Sequence, residues 1–202
     1  MFYTVNSDGN ERFQYVWKDL SFGGFVRSTC QHCGRDIVTA CYEGESHRLL
    51  LEGGKHYPDI LRFHGAGTPL FIVTDRVLAL LEQHRISGIS GNESVTISAQ
   101  QGENIVPLEN APSYHLLHIG GKIELDFSSM FLKKKRKCKS CGQFEWNRQR
   151  LYPLAFNLAE WDGSDLCRIA SLPGHVVCSE KMAQVINQYS LTGVQLAVCQ
   201  GR

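Results

Sequence analysis

The sequence predicts an α+β protein made of two similar mixed α/β units, an internal duplication joined through a shared structural zinc site. Three observations carry this reading: a CxxCG motif that occurs twice, a strand-helix-strand pattern that occurs twice, and a nearly constant spacing between the copies. The chain has 202 residues, 43% of them hydrophobic and 20% charged, which suits a globular protein with a buried core and excludes a disordered one. No apolar run reaches the roughly 18 residues of a membrane span. Residues 1–8 lack the basic and apolar regions of a secretory signal. A cytoplasmic protein without a membrane partner is the expectation.

Four of the eight cysteines form the motifs Cys30-Gln31-His32-Cys33-Gly34 and Cys138-Lys139-Ser140-Cys141-Gly142. Reducing conditions disfavour a disulfide scaffold, so paired CxxC motifs read as metal ligands. Two cysteines three apart can turn both sulfurs toward one ion, and the following glycine lets the backbone pass through positive φ. Two such knuckles complete a tetrahedron, giving Cys30, Cys33, Cys138 and Cys141 as the ligands of one Zn2+. The 104 residues between the knuckles far exceed the spacing of about 15–20 in ordinary zinc ribbons. Two separate sites completed by histidines, or unmetallated thiols, are the other readings. Neither motif sits in the βαβ setting that a redox CxxC requires.

The long separation is explained if each half carries one copy of the same unit. Residues 73–89 lie ungapped on residues 178–194. Each unit then reads, in order, as a knuckle, a mixed β segment, a strand, a second strand, a helix and a closing strand. The first strand begins Asp59-x-x-Arg62 in one copy and Asp165-x-x-Arg168 in the other; the second is Phe71-Ile72-Val73 or Val176-Val177-Cys178. Thr74 and Ser179 are predicted N-caps, with Asp75 and Glu180 suited to the positive helix terminus. Apolar positions 77, 78, 80 and 81 map onto 182, 183, 185 and 186 as buried helix faces. Gly88 and Gly193 are read as the glycines that stop the helices. The offsets of knuckle, Asp-x-x-Arg strand and helix cap are 108, 106 and 105 residues. The units are therefore set at 1–106 and 107–202, packed as one globule.

A zinc held by four thiolates has no open position for water, which makes it structural and argues against metal-assisted hydrolysis. The chain lacks HExxH, GxSxG, GxxxxGK[ST] and GxGxxG motifs, and no His-x-Glu precedes the CxxC pairs. No catalysis of its own is expected.

With these residues the chain resembles the double-CxxCG-motif proteins of bacteria, immunity proteins that neutralise a toxin delivered between competing cells. The resemblance rests on Cys30, Cys33, Gly34, Cys138, Cys141 and Gly142 and on their wide separation. It rests also on the ending from Val177-Cys178-Ser179-Glu180-Lys181 to Leu191-Thr192-Gly193-Val194. That ending is similar to the close of several polymorphic-toxin immunity families. The resemblance implies a cytosolic inhibitor that binds one cognate toxin domain by stoichiometric occlusion.

The run Lys133 to Lys137, directly before the second knuckle, departs from that family pattern. Basic residues beside a zinc knuckle can contact phosphate, so the alternative is a zinc-ribbon-type nucleic-acid-binding or transcription-associated protein. Against it stands a net charge of only +1, with residues 1–105 at −3 and residues 106–202 at +4. Wholesale phosphate neutralisation needs more than that. His32 is read as a residue facing solvent or supporting the knuckle. Cys41, Cys167, Cys178 and Cys199 are read as small buried hydrophobes. Trp17, Trp146 and Trp161 are read as core residues, with Trp161, in Glu160-Trp161-Asp162-Gly163, also a candidate exposed anchor.

Overall fold

The computed structural model describes residues 1–9, 14–20, 22–34, 36–42, 47–63, 70–101, 104–128, 138–141 and 154–201. In chain order the first strands are β1 (Phe2–Ser7), β2 (Gln14–Asp19), β3 (Phe22–Thr29), β4 (Asp36–Tyr42), β5 (Arg48–Gly53), β6 (Ile60–Phe63) and β7 (Leu70–Thr74). Helix α1 (Asp75–Gln83) leads to β8 (Ile89–Gln101), β9 (Asn104–Pro107), β10 (Tyr114–Ile119) and β11 (Gly121–Leu125). After the second knuckle come β12 (Ala155–Asn157), β13 (Leu166–Ile169), β14 (Leu172–Ser179), α2 (Glu180–Gln188) and β15 (Val194–Gly201). The architecture is mixed α/β and dominated by strands, with two large curled sheets, a two-stranded ribbon of β3 and β4, and two α-helices among the described residues.

Six strands close a barrel in the order β1-β14-β13-β11-β12-β15, and seven form a sheet ordered β2-β5-β8-β10-β7-β6 with β9 paired to β8. Each contains one strand from the far half of the chain. β1 lies between β14 and β15, with Phe2, Tyr3 and Thr4 opposite Ser179, Cys178 and Val177. β10 lies between β7 and β8, with Tyr114, His115 and Leu116 opposite Thr74, Val73 and Ile72. The side chains repeat the match. Tyr3 donates its hydroxyl to Glu180 at 3.1 Å, and His115 Nε2 meets Asp75 Oδ1 at 2.5 Å.

Both helices are built as their local sequence dictates. The Thr74 hydroxyl accepts from Val77 N–H, and the Ser179 hydroxyl from Met182 N–H, satisfying donors that a helix start leaves open. Val77, Leu80 and Leu81 of α1 and Met182, Ala183, Val185 and Ile186 of α2 are buried. They join Val5, Phe71, Val73, Leu117, Val176 and Cys178 in a central core between the two sheets. A second core fills the barrel around Phe2, Phe156 and Ile169, and a third lies inside the other sheet around Leu49, Ile72 and Tyr114.

Gly88 and Gly193 do not stop the helices. The stops are Arg85 and Ser190, both at φ 49°. Ile86 N–H bonds Leu81 O and Leu191 N–H bonds Ile186 O, with Arg85 and Ser190 N–H returning to Glu82 O and Asn187 O. This is a Schellman closure with non-glycine residues in the left-handed position. The glycines serve a longer-range purpose. A Cβ on Gly88 would stand 2.1 Å from Leu166 O, and one on Gly193 would stand 2.0 Å from Ile60 O. At these points the backbone of each half runs against the other, and Leu166 N–H bonds Ser87 O while Ile60 N–H bonds Thr192 O.

The same crossing holds two carboxylates. Asp59 accepts from Thr192 N–H at 3.0 Å and from its hydroxyl at 2.9 Å, and pairs with Arg76 at 2.9 Å. Asp165 accepts from Ser87 N–H and hydroxyl at 3.0 Å each, from the Ser179 hydroxyl at 2.7 Å, and pairs with Lys181 at 3.3 Å. Burial raises the Asp165 pKa, but the donors from Ser87 and Ser179 and the Lys181 ammonium outweigh it and hold the carboxyl below its ordinary range.

Two predictions follow from this crossing. Gly88→Ala and Gly193→Ala combine a left-handed backbone with a backbone clash and should each lose more than about 2 kcal/mol. Gly163→Ala, at φ 85° with nothing within 4 Å, should lose only about 1 kcal/mol; urea unfolding of the three variants gives the comparison. Because the folded carboxyl of Asp165 has a lowered pKa, its contribution is present above the unfolded value of about 3.9 and is lost as pH falls through the folded one. Asp165→Asn should therefore lower Tm at neutral pH and flatten its decline in acid, as read by melting curves at stepped pH.

Candidate metal centre

The first knuckle follows directly from β3, and Gly34 N–H bonds back to Cys30 O at 2.8 Å. Gly34 has φ 70°, the conformation expected of a glycine behind the knuckle. Cys138 to Cys141 form the second turn. The two meet sulfur to sulfur: Cys30 Sγ lies 3.8 Å from Cys138 Sγ, and Cys33 Sγ lies 3.7 Å from Cys141 Sγ. All four Sγ atoms lie within 4.8 Å of one another. A tetrahedron with metal–sulfur bonds of about 2.3 Å has sulfur–sulfur edges of about 3.8 Å. The donor set therefore fits a zinc-sized, thiophilic ion, and all four predicted ligands are together.

Cys30 and Cys138 are buried, and Cys33 and Cys141 half-buried. Backbone N–H groups of Cys33 and His32 aim at the Cys30 sulfur and draw its pKa down to about 6, against the opposing effect of burial. Cys138 is lowered likewise, chiefly by Cys141 N–H, with Ser140 N–H adding to it. Thiolate is the metal-binding form, so the knuckle backbones favour ligation. His32 is exposed and takes no place in the cluster.

The remaining thiols behave oppositely. Cys167, Cys178 and Cys199 are buried in the sheets. Burial pushes Cys167 up to about 12 and raises Cys178 and Cys199 as well. Of Cys41 only its place on β4 is described. The run Lys133 to Lys137 and Trp146 lie outside the described residues, as does the side chain of Trp17. Trp161 is not a free anchor. Its Nε1 donates to Ser164 O at 2.9 Å, and its ring meets Phe2 edge-on at 5.0 Å between centroids.

One grouping has no signature in the sequence. His47 Nε2 and His118 Nε2 lie 3.6 Å and 3.8 Å from the same Glu93 oxygen. Their positions, far apart along the chain, are brought together only by the sheet.

No family model matches this chain, and no curated protein matches it. The likeness to double-CxxCG immunity proteins thus rests on the motifs themselves. No helix among the described residues is long and apolar enough to cross a membrane.

Elemental analysis of purified protein should give one zinc per chain. Cys30→Ser or Cys138→Ser should release the metal and lower Tm sharply, since removing one ligand leaves three thiolates crowded without full coordination. A Cys167→Ser protein should keep its metal.

Proposed function

We propose that this chain is a cytoplasmic immunity protein that binds a cognate antibacterial toxin domain and neutralises it by stoichiometric occlusion. In this reading it is an internal duplication, with units at 1–106 and 107–202 sharing one structural zinc. The observation that carries the reading is the meeting of two CxxC knuckles, 104 residues apart in sequence, on four thiols at the spacing of a zinc–sulfur tetrahedron. Duplication is supported by the matched placing of β1 and β10 and by the reciprocal contacts of Asp59 with Thr192 and Asp165 with Ser87.

Four thiolates around an ion leave it no substrate position, so the metal contributes to the fold rather than to chemistry. With no catalytic motif in the sequence, protection by binding is the simplest mechanism, its affinity set by a few buried anchors within a charge-complementary rim. The basic run Lys133 to Lys137 beside the second knuckle favours one other reading, a zinc-ribbon-type nucleic-acid-binding or transcription-associated protein.

Co-expression with the toxin domain encoded beside this chain tests the proposal. Protection should require at least one copy per toxin molecule, and the two should co-purify as a stable complex. Protection at strongly substoichiometric protein would instead mean turnover. Salt-dependent binding to random duplex, with no effect on the toxin, would favour the second reading.

A further inference from the structure

The grouping of His47, Glu93 and His118 lies outside the thiol cluster and has no part in the proposed neutralisation. Glu93 stands on β8 opposite Leu116 of β10, and Gly91 stands opposite His118. Glu93 and His118 are thus diagonal neighbours on one face of the sheet. The His118 imidazole lies over Gly91, its Cδ2 3.7 Å from where a Cβ would be, an ordinary packing distance. His47 precedes β5 and is held by Thr96 N–H, which donates to its carbonyl at 3.0 Å. Its side chain is 14% exposed, against 36% for Glu93 and 50% for His118.

Two imidazoles and a carboxylate are ligands of borderline divalent cations such as Zn2+, Ni2+ and Cu2+. With metal–ligand bonds of about 2.1 Å, a tetrahedral edge is about 3.4 Å. The two observed edges, 3.6 and 3.8 Å, are within a few tenths of that. The third is open: among the described residues, only the four cysteines already have three or more ligand atoms within 4.8 Å of one another. Closing it requires one imidazole to turn toward the other, and His118 is half-exposed and has the freedom to do so. Simple ion pairing makes a different demand, because it needs protonated imidazoles, whereas a metal takes them neutral.

We infer that His47, Glu93 and His118 form a second, exchangeable site for a borderline divalent cation, which draws His118 inward and ties the entry of β5 to β8 and β10. Three protein ligands leave at least one position to water, unlike the four-thiolate cluster.

The test is calorimetric titration of the untagged, metal-loaded chain with Zn2+ near neutral pH. One equivalent should bind beyond the tightly held metal, and it should vanish in Glu93→Gln and in His118→Ala. Tightly bound metal, measured in the same samples, should be unchanged. His118 is half-exposed on its strand, so its alanine variant keeps the test open should the Glu93 variant fold poorly. On adding Zn2+, the imidazole proton resonances of His47 and His118 should shift together. No equivalent beyond the tight one, or an equivalent that survives in His118→Ala, would overturn the inference.

Discussion

Backbone hydrogen bonding obliges the two halves of this chain to share strands. Without β10, the facing edges of β7 and β8 would present unpaired N–H and C=O groups beside the packed helix α1, and without β1 the same would hold for β14 and β15. A buried amide without a partner costs more than most side-chain contacts return. The exchange of strands therefore fixes which surfaces of the two sheets face each other, and the central core with both helices fills the space this creates. The crossings at Gly88 and Gly193 and the carboxylates Asp59 and Asp165 are details of that arrangement. They lie where the loop after each helix runs against the start of β13 or β6 in the other half.

Cysteine illustrates how far environment decides the role of one side chain. At the knuckles, amides pointing at sulfur stabilise negative charge and make Cys30 and Cys138 ready ligands. In the apolar cores the same thiol finds no comparable set of donors, and Cys167 inside the barrel and Cys178 in the central core remain neutral packing groups. The difference is made by the local turn, which is why a four-residue motif specifies it.

That contrast also explains what could be read from the sequence. Thr74 and Ser179 were legible as caps because a cap is a contact over three residues, and the two CxxC turns because the spacing within each motif is itself the geometry that brings its sulfurs together. Gly88 and Gly193 were misread. Each sits where a helix-stopping glycine could sit, but the reason for it is a carbonyl in the other half of the chain. The placing of β1 beside β14 and β15 had no local sign, since a strand's partners leave no mark in its own pattern. Trp161 was ambiguous until Phe2, from that same exchanged strand, was found against its ring. Glu93 and its two histidines depended on sheet register and could not have been found.

The place of β1 also bears on how the protein is made. Phe2 pairs with Ser179 and with Cys199, so the first strand of the barrel to be synthesised waits for nearly the last. The barrel cannot close before β14 and β15 have emerged; until then β1 must stay unpaired or find temporary partners while more than a hundred residues are added. Contacts so distant in sequence slow folding and prolong the exposure of strand edges. The seven-stranded sheet draws its strands from β2 to β10 and can assemble earlier, which gives the growing chain a formed surface on which the barrel is later completed.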